Sequence, residues 1–218
     1  DYNCRGCHIV DGRGGAIETP IVALGVAAGQ DAAVAAAYSP PNLNTEGAKT
    51  QPEWLYRFLN EPTEIRPWLD VRMPTFGFDD GQLNALTAYF SSLDDVAYPF
   101  DEKFTVAHEY TRELVDVGRT LATAVQGQLQ CFRCHVQDGV PPAGQLPDQW
   151  APDLALAAER LRYEWIQDWI ADPQSIFPGT NMPQYWQDLD APSPFAALDA
   201  NARAQIEALA AYIMSIGQ

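Results

Sequence analysis

One five-residue pattern consumes all four cysteines and two of the three histidines of this 218-residue chain: CRGCH at residues 4–8 and CFRCH at residues 131–135. A four-cysteine zinc ribbon usually closes over about 15 to 20 residues, far less than this separation. Disulfides among the four cysteines would leave a histidine unexplained in the same place twice. A redox-active dithiol belongs to a fold of alternating strands and helices, and that alternation is absent here. What remains is the attachment signature of c-type haem. Two thiols three positions apart each add to one vinyl group on the same porphyrin edge. The histidine that follows then lies beneath the iron as its axial ligand.

The cysteines are only the first of five matching blocks. Cys4 aligns with Cys131 at an offset of 127. PPNL (40–43) aligns with APDL (151–154) at 111, and EWLYRFLNEP (53–62) with EWIQDWIADP (164–173) at the same 111. RMP (72–74) aligns with NMP (181–183) at 109, and LNALTAYF (83–90) with IEALAAYI (206–213) at 123. Five blocks in one order mean a duplicated module, here copy one and copy two. The fall from 127 to 111 gives copy one 16 extra residues after its motif, and the rise from 109 to 123 gives copy two 14 extra before its last block.

Helical signals dominate and strand signals are weak. Thr50 with Glu53 reads as a capping box ahead of a stripe of Trp54, Leu55, Phe58 and Leu59, with Pro62 ending the helix. The last helix of copy one is expected to start near Asp79, with Gln82 three residues on. In copy two Asp199 is the expected cap, before a stripe of Ile206, Leu209, Ala210, Ile213 and Ile216.

Each copy resembles a class I c-type cytochrome domain, over residues 1–93 and about 109–218. The resemblance implies a mainly α chain of two tandem domains, 1–93 and 109–218, joined by a linker over 94–108. Each domain would be a few helices wrapped around one covalent haem. Haem 1 would be carried by Cys4 and Cys7 with His8 on the iron, and haem 2 by Cys131 and Cys134 with His135. In that family a Pro-x-Leu segment follows the motif. Pro41 and Pro152 match the proline whose carbonyl accepts the proximal histidine N–H, and Leu43 and Leu154 would pack on the haem. An ordinary loop turn is the plainer reading of both prolines.

Iron held by one histidine needs a sixth ligand. Met73 and Met182 stand in matching positions, each directly before a proline in the loop ahead of the last helix, which resembles the family's distal methionine loop. Met214 lies within the last helix and reads as core filler. Trp54 and Trp165 occupy matching positions where an indole N–H can hold a haem propionate, although core packing explains them nearly as well. Arg72 is a candidate propionate partner in copy one only, since Asn181 replaces it in copy two. His108 reads as a solvent-exposed linker residue, with an alternative role as a replacement ligand.

The family fold opens with a helix that crosses the last one through a glycine and an aromatic residue. Copy two supplies it in EYTRELVDVGRTLATAV (109–125), with Gly118 facing Tyr212. In copy one only three residues precede Cys4, so Leu86, Tyr89 and Phe90 would lie bare. Three covers are conceivable: a longer polypeptide upstream, another subunit, or the Ala-rich insertion (22–38) folded back as a substitute helix. The first is the expectation.

The charge balance, 29 acidic against 13 basic residues with Lys49 and Lys103 the only lysines, argues against a nucleic-acid partner. It suits docking to basic surfaces, and equally a solvated acidic face. No run of about 18 apolar residues occurs, so no transmembrane segment is expected. The N-terminus lacks a basic stretch followed by an apolar one, so any export signal is expected to have been removed. His/Met iron is saturated, which leaves it to accept one electron and pass it on. The expected role is therefore a dihaem carrier relaying electrons between protein partners outside the cytoplasm, within or beside a larger respiratory or photosynthetic assembly. The alternative is a dihaem enzyme, peroxidase-like or thiosulfate-oxidising, with one switchable iron.

Overall fold

The computed structural model describes residues 2–96, 98, 110–123 and 129–218. Its architecture is mainly α, with long loops between short helices. The first motif is itself a single helical turn, α1 (Cys4–Cys7), followed by a minimal antiparallel hairpin of β1 (Ile9–Val10) and β2 (Arg13–Gly14) in which Ile9 pairs with Gly14. The 16-residue insertion forms α2 (Glu18–Ala27) and α3 (Ala32–Ala36), which pack on one another. Next come α4 (Glu46–Lys49), α5 (Pro52–Asn60) and α6 (Asp80–Leu93). Copy two contains α7 (Arg112–Thr123), α8 (Ala157–Arg160), α9 (Tyr163–Ala171), α10 (Pro173–Ile176) and α11 (Ala202–Ser215).

Two separate cores result. In copy one Trp54, Leu55 and Leu59 of α5 meet Leu83 and Phe90 of α6 and Phe78 of the intervening loop. In copy two α7 and α9 pack on α11, whose Ile206, Leu209, Ala210, Tyr212 and Ile213 are all buried, with Met214 as core filler. Gly118 makes the α7–α11 crossing possible. A Cβ there would collide with the Ala208 carbonyl and stand 2.8 Å from the Tyr212 Cβ, so only glycine lets the backbones meet.

Several sequence expectations need correction. Thr50 and Glu53 form no capping box: α5 starts after Gln51 with no side-chain cap, and the Thr50 hydroxyl donates to the Glu46 carbonyl at 2.7 Å. Asp199 is not the cap of α11. It sits in a left-handed turn, and Asn201 caps instead, accepting from Ala204 N–H. The capping box of Asp79 and Gln82 on α6 forms as expected. The Ala-rich insertion does not cover α6: α2 packs on α3 rather than on α6 and leaves Leu24 73% exposed. Phe90 is nevertheless buried, because α4 presses Gly47 against the Phe90 backbone. Tyr89 remains 44% exposed, whereas its counterpart Tyr212 is 6% exposed under α7.

The copies meet along a seam with approximate two-fold symmetry. Gln51 N–H donates to the Arg160 carbonyl and Arg162 N–H to the Lys49 carbonyl, both at 2.9 Å, around an antiparallel bridge between Thr50 and Leu161. The Gln51 side-chain amide donates to the carbonyls of Ala158 (2.7 Å) and Leu161 (2.9 Å). In the mirror relation Arg162 Nε donates to the carbonyls of Gly47 and Thr50, both at 3.0 Å. Every residue in one half of this exchange matches its counterpart at the offset of 111.

Candidate haem centres

Both motifs begin from a residue in the left-handed region, Asn3 (φ 51°) and Gln130 (φ 49°), which turns the chain into a tight coil: α1 in copy one, a 3-10 turn over Cys131–Arg133 in copy two. All four cysteines are unpaired thiols, with Cys4, Cys7 and Cys134 exposed. Burial pushes the Cys131 thiol up to about 11. After the coil His8 turns extended. Its Nδ1 lies 2.8 Å from the Pro41 carbonyl, and His135 Nδ1 lies 2.9 Å from the Pro152 carbonyl. A carbonyl only accepts, so each Nδ1 carries the proton and each Nε2 keeps its lone pair. Burial holds His135 below the usual imidazole range, against the opposing pull of the Pro152 carbonyl and Asp153. That environment favours the neutral ring that a metal requires.

The backbone around each histidine is equally matched. Leu43 N–H donates to the Ile9 carbonyl (2.9 Å) and Leu154 N–H to the Val136 carbonyl (3.1 Å). Asn44 Oδ1 accepts from Asp11 N–H at 2.8 Å, and Asp153 Oδ1 accepts from Asp138 N–H at 2.9 Å. The clamp is thus the same in both copies although the clamping residue has moved, and sequence alignment did not reveal it. A family model described as Cytochrome c matches residues 1–94 and 116–217. The chain belongs to the cytochrome c family. No curated protein and no solved structure matches it significantly.

Membership in the cytochrome c family gives the two motifs their cofactor: covalent haem c, with two haems for two domains. The residues fit that group. Besides the paired thiols and free imidazole nitrogens, Trp165 Nε1 is buried with no hydrogen-bond partner, a donor that lacks its acceptor. Leu43 and Met73 pack against the copy-one core beside Trp54. Leu154 and Trp165 pack against the copy-two core. Met182 stands apart, half-buried, with its N–H donated to Thr180 Oγ1 at 3.3 Å. Trp54 stacks on Phe58 (4.8 Å between ring centroids) and Trp165 on Trp169 (5.2 Å).

Arg72 is placed differently from the other candidates. It is exposed, with its Nε on Glu64 (3.0 Å) and a terminal nitrogen on the Pro67 carbonyl (2.9 Å). His108 lies outside the described residues. The cations that do sit beside the tryptophans are Lys49 and Arg160, which sequence reasoning missed. Their match at the offset of 111, one position ahead of the shared Thr50/Leu161 step, was the available signal.

A cleft of about 400 Å³ also opens between the copies, lined by Thr45, Ala48, Trp165, Asp168 and Asp172 among others. None of the motif residues lines it. Among the described residues no helix is long and apolar enough to cross a membrane.

Proposed function

We propose that this cytochrome is a dihaem electron carrier. Haem 1 is attached to Cys4 and Cys7 with His8 and Met73 on the iron, and haem 2 to Cys131 and Cys134 with His135 and Met182. The domains run over 1–93 and 109–218, with 94–108 between them. One observation carries the reading: both imidazoles are locked by a proline carbonyl through Nδ1, and each copy has a single Met-Pro loop ahead of its last helix. The carbonyl bond makes Nε2 a better donor and fixes the ring. A thioether opposite it favours Fe(II) and fills the sixth position, leaving electron transfer rather than bond chemistry.

The protein works outside the cytoplasm and passes electrons between protein partners as part of a larger assembly. Its net charge of −16 selects basic docking faces. Association with such a partner then weakens as salt rises, and a salt-independent association rate would count against this docking mode.

The test is direct. Denaturing intact-mass measurement counts two haems on the chain. In the oxidised protein both irons show the methionine-to-iron charge-transfer band. Met73→Ala and Met182→Ala each leave haem attached and lower the potential of that haem alone. Unchanged potentials would overturn the distal assignments. Prompt carbon monoxide binding by the reduced wild type would overturn the carrier role in favour of an enzyme with an open iron.

A further inference from the structure

The seam concentrates positive charge around a single buried carboxylate, Glu46. Lys49 Nζ lies 3.0 Å from Glu46, and both side chains are largely buried. Arg160 and Arg66 stand close enough that each lowers the charge tolerance of its neighbours. Desolvation first, and then the repulsion of Arg160, push Lys49 and Arg66 below their ordinary values, while Glu46 works the other way on Lys49. Arg160 is itself lowered by burial, again opposed by Glu46. Its Nε is buried with no partner. Lys49 and Arg160, both partly buried, therefore share the one carboxylate of Glu46, while Arg66 beside them donates to the Ala37 carbonyl at 3.2 Å. A buried charged donor without an acceptor is unfavourable, so Arg160 Nε, with no partner among the described residues, leaves this cluster room for an anionic acceptor.

The cations are also crossed between the copies. Lys49 of copy one sits over the ring of Trp165 of copy two, 5.8 Å from its centroid, and Arg160 of copy two sits over Trp54 of copy one at 5.1 Å. The two relations are mates under the seam's approximate two-fold. Trp165 brings an unpartnered buried N–H to the same place. We propose that each haem presents its propionate edge to the seam, where a cation of the other copy completes the pocket: Arg160 beside Trp54 for haem 1, and Lys49 beside Trp165 for haem 2. Covalent capture of the vinyl edge by the cysteines leaves the opposite, carboxylate-bearing edge to find donors. Lys49 and Arg160 are positioning residues for the electrostatics of an iron they do not touch. Because each acts across the seam, the potential of one haem depends on the folding of the other copy.

This inference rests on the two-haem reading, and haem count separates their failures. Arg160→Gln and Lys49→Gln are first checked by denaturing mass, which must still show two haems. Spectroelectrochemical titration then resolves two potentials, assigned with the Met73→Ala and Met182→Ala proteins. Removing a cation beside a propionate leaves net negative charge near the iron, which stabilises Fe(III) and lowers the potential. Arg160→Gln therefore lowers the potential of haem 1 and Lys49→Gln that of haem 2, each leaving the other haem in place. The shifted potential also gains a pH dependence, falling as the released propionate ionises.

Arg160→Lys and Lys49→Arg, which keep the charge, restore most of the original value. If a glutamine variant does not fold, Trp165→Phe keeps the stacked ring, removes the N–H, and lowers haem 2 alone. For Arg160→Gln and Lys49→Gln, a shift on the haem of the variant's own copy, or no shift on either haem, overturns the crossed pockets; for Trp165→Phe, an unmoved haem 2 overturns them.

Discussion

Copy one and copy two hold the same motif on unequal scaffolds. Among the described residues copy two has a full crossing of α7 over α11 and fifteen buried residues in its core, whereas six make up the core of copy one. Copy two also buries a side-chain polar cluster that has no counterpart among the described residues of copy one. There Trp186 Nε1 donates to Ser193 Oγ (2.9 Å), and Gln205 donates to the Phe195 carbonyl (2.8 Å). Copy one substitutes aromatic loop contacts, with Tyr2 edge-on to Phe76 and Phe78 at 5.7 and 4.7 Å. Yet the two histidine–proline bonds differ by only 0.1 Å, at 2.8 and 2.9 Å. The haem-binding geometry is therefore local to the coil and the Pro-x-Leu segment. The helical crossing adds stability around it rather than shaping it.

The strongest way to break this comparison is at Gly118. Gly118→Leu drives a side chain into the Ala208 carbonyl and Tyr212, and overpacking of that kind costs about 3 kcal/mol. If the crossing only stabilises copy two, denaturant unfolding of that copy shifts to lower concentration while the Pro152 bond and the ligation of haem 2 persist in native buffer. Hydrogen exchange would show the amides of α7 and α11 opening early and those of α5 and α6 unchanged. Equal loss of protection in both copies would mean the seam welds them into one cooperative unit.

Much of this contrast was legible beforehand, for identifiable reasons. The two coils, the Pro-x-Leu segments and the α7–α11 crossing rest on chemistry that needs particular residues in a particular order: thiols, an imidazole, a proline, a glycine. Such requirements leave a mark in one sequence. The seam did not announce itself, because its described hydrogen bonds all end on backbone carbonyls, and carbonyls are indifferent to residue type. Thr50 was misread for a related reason. Its hydroxyl is attractive as a cap, but its backbone is held by the bridge to Leu161, so the hydroxyl turns back to close α4 instead. Arg72 is the opposite case: a cation next to a functional loop invites a cofactor role, and in the structure its guanidinium pairs with Glu64.

The smallest expected effects sharpen the comparison at the two last helices, which match in sequence but start differently. Asp79 caps α6 through Gln82 N–H at 2.9 Å, and Asn201 caps α11 through Ala204 N–H at 3.0 Å. Loss of a side-chain cap costs about 1 kcal/mol. Asp79→Ala and Asn201→Ala should therefore each destabilise by roughly that amount, checked by urea denaturation of the loaded protein. Asp199→Ala should be close to neutral, or slightly stabilising, because Asp199 is held at φ 53° and caps nothing. A full cap-sized loss at Asp199 with none at Asn201 would reverse the assignment and restore the start of α11 that sequence alone suggested. In copy one the Asp79 loss should be the more visible of the pair, since α6 packs chiefly on α4 and α5, whereas α11 is gripped by both α7 and α9.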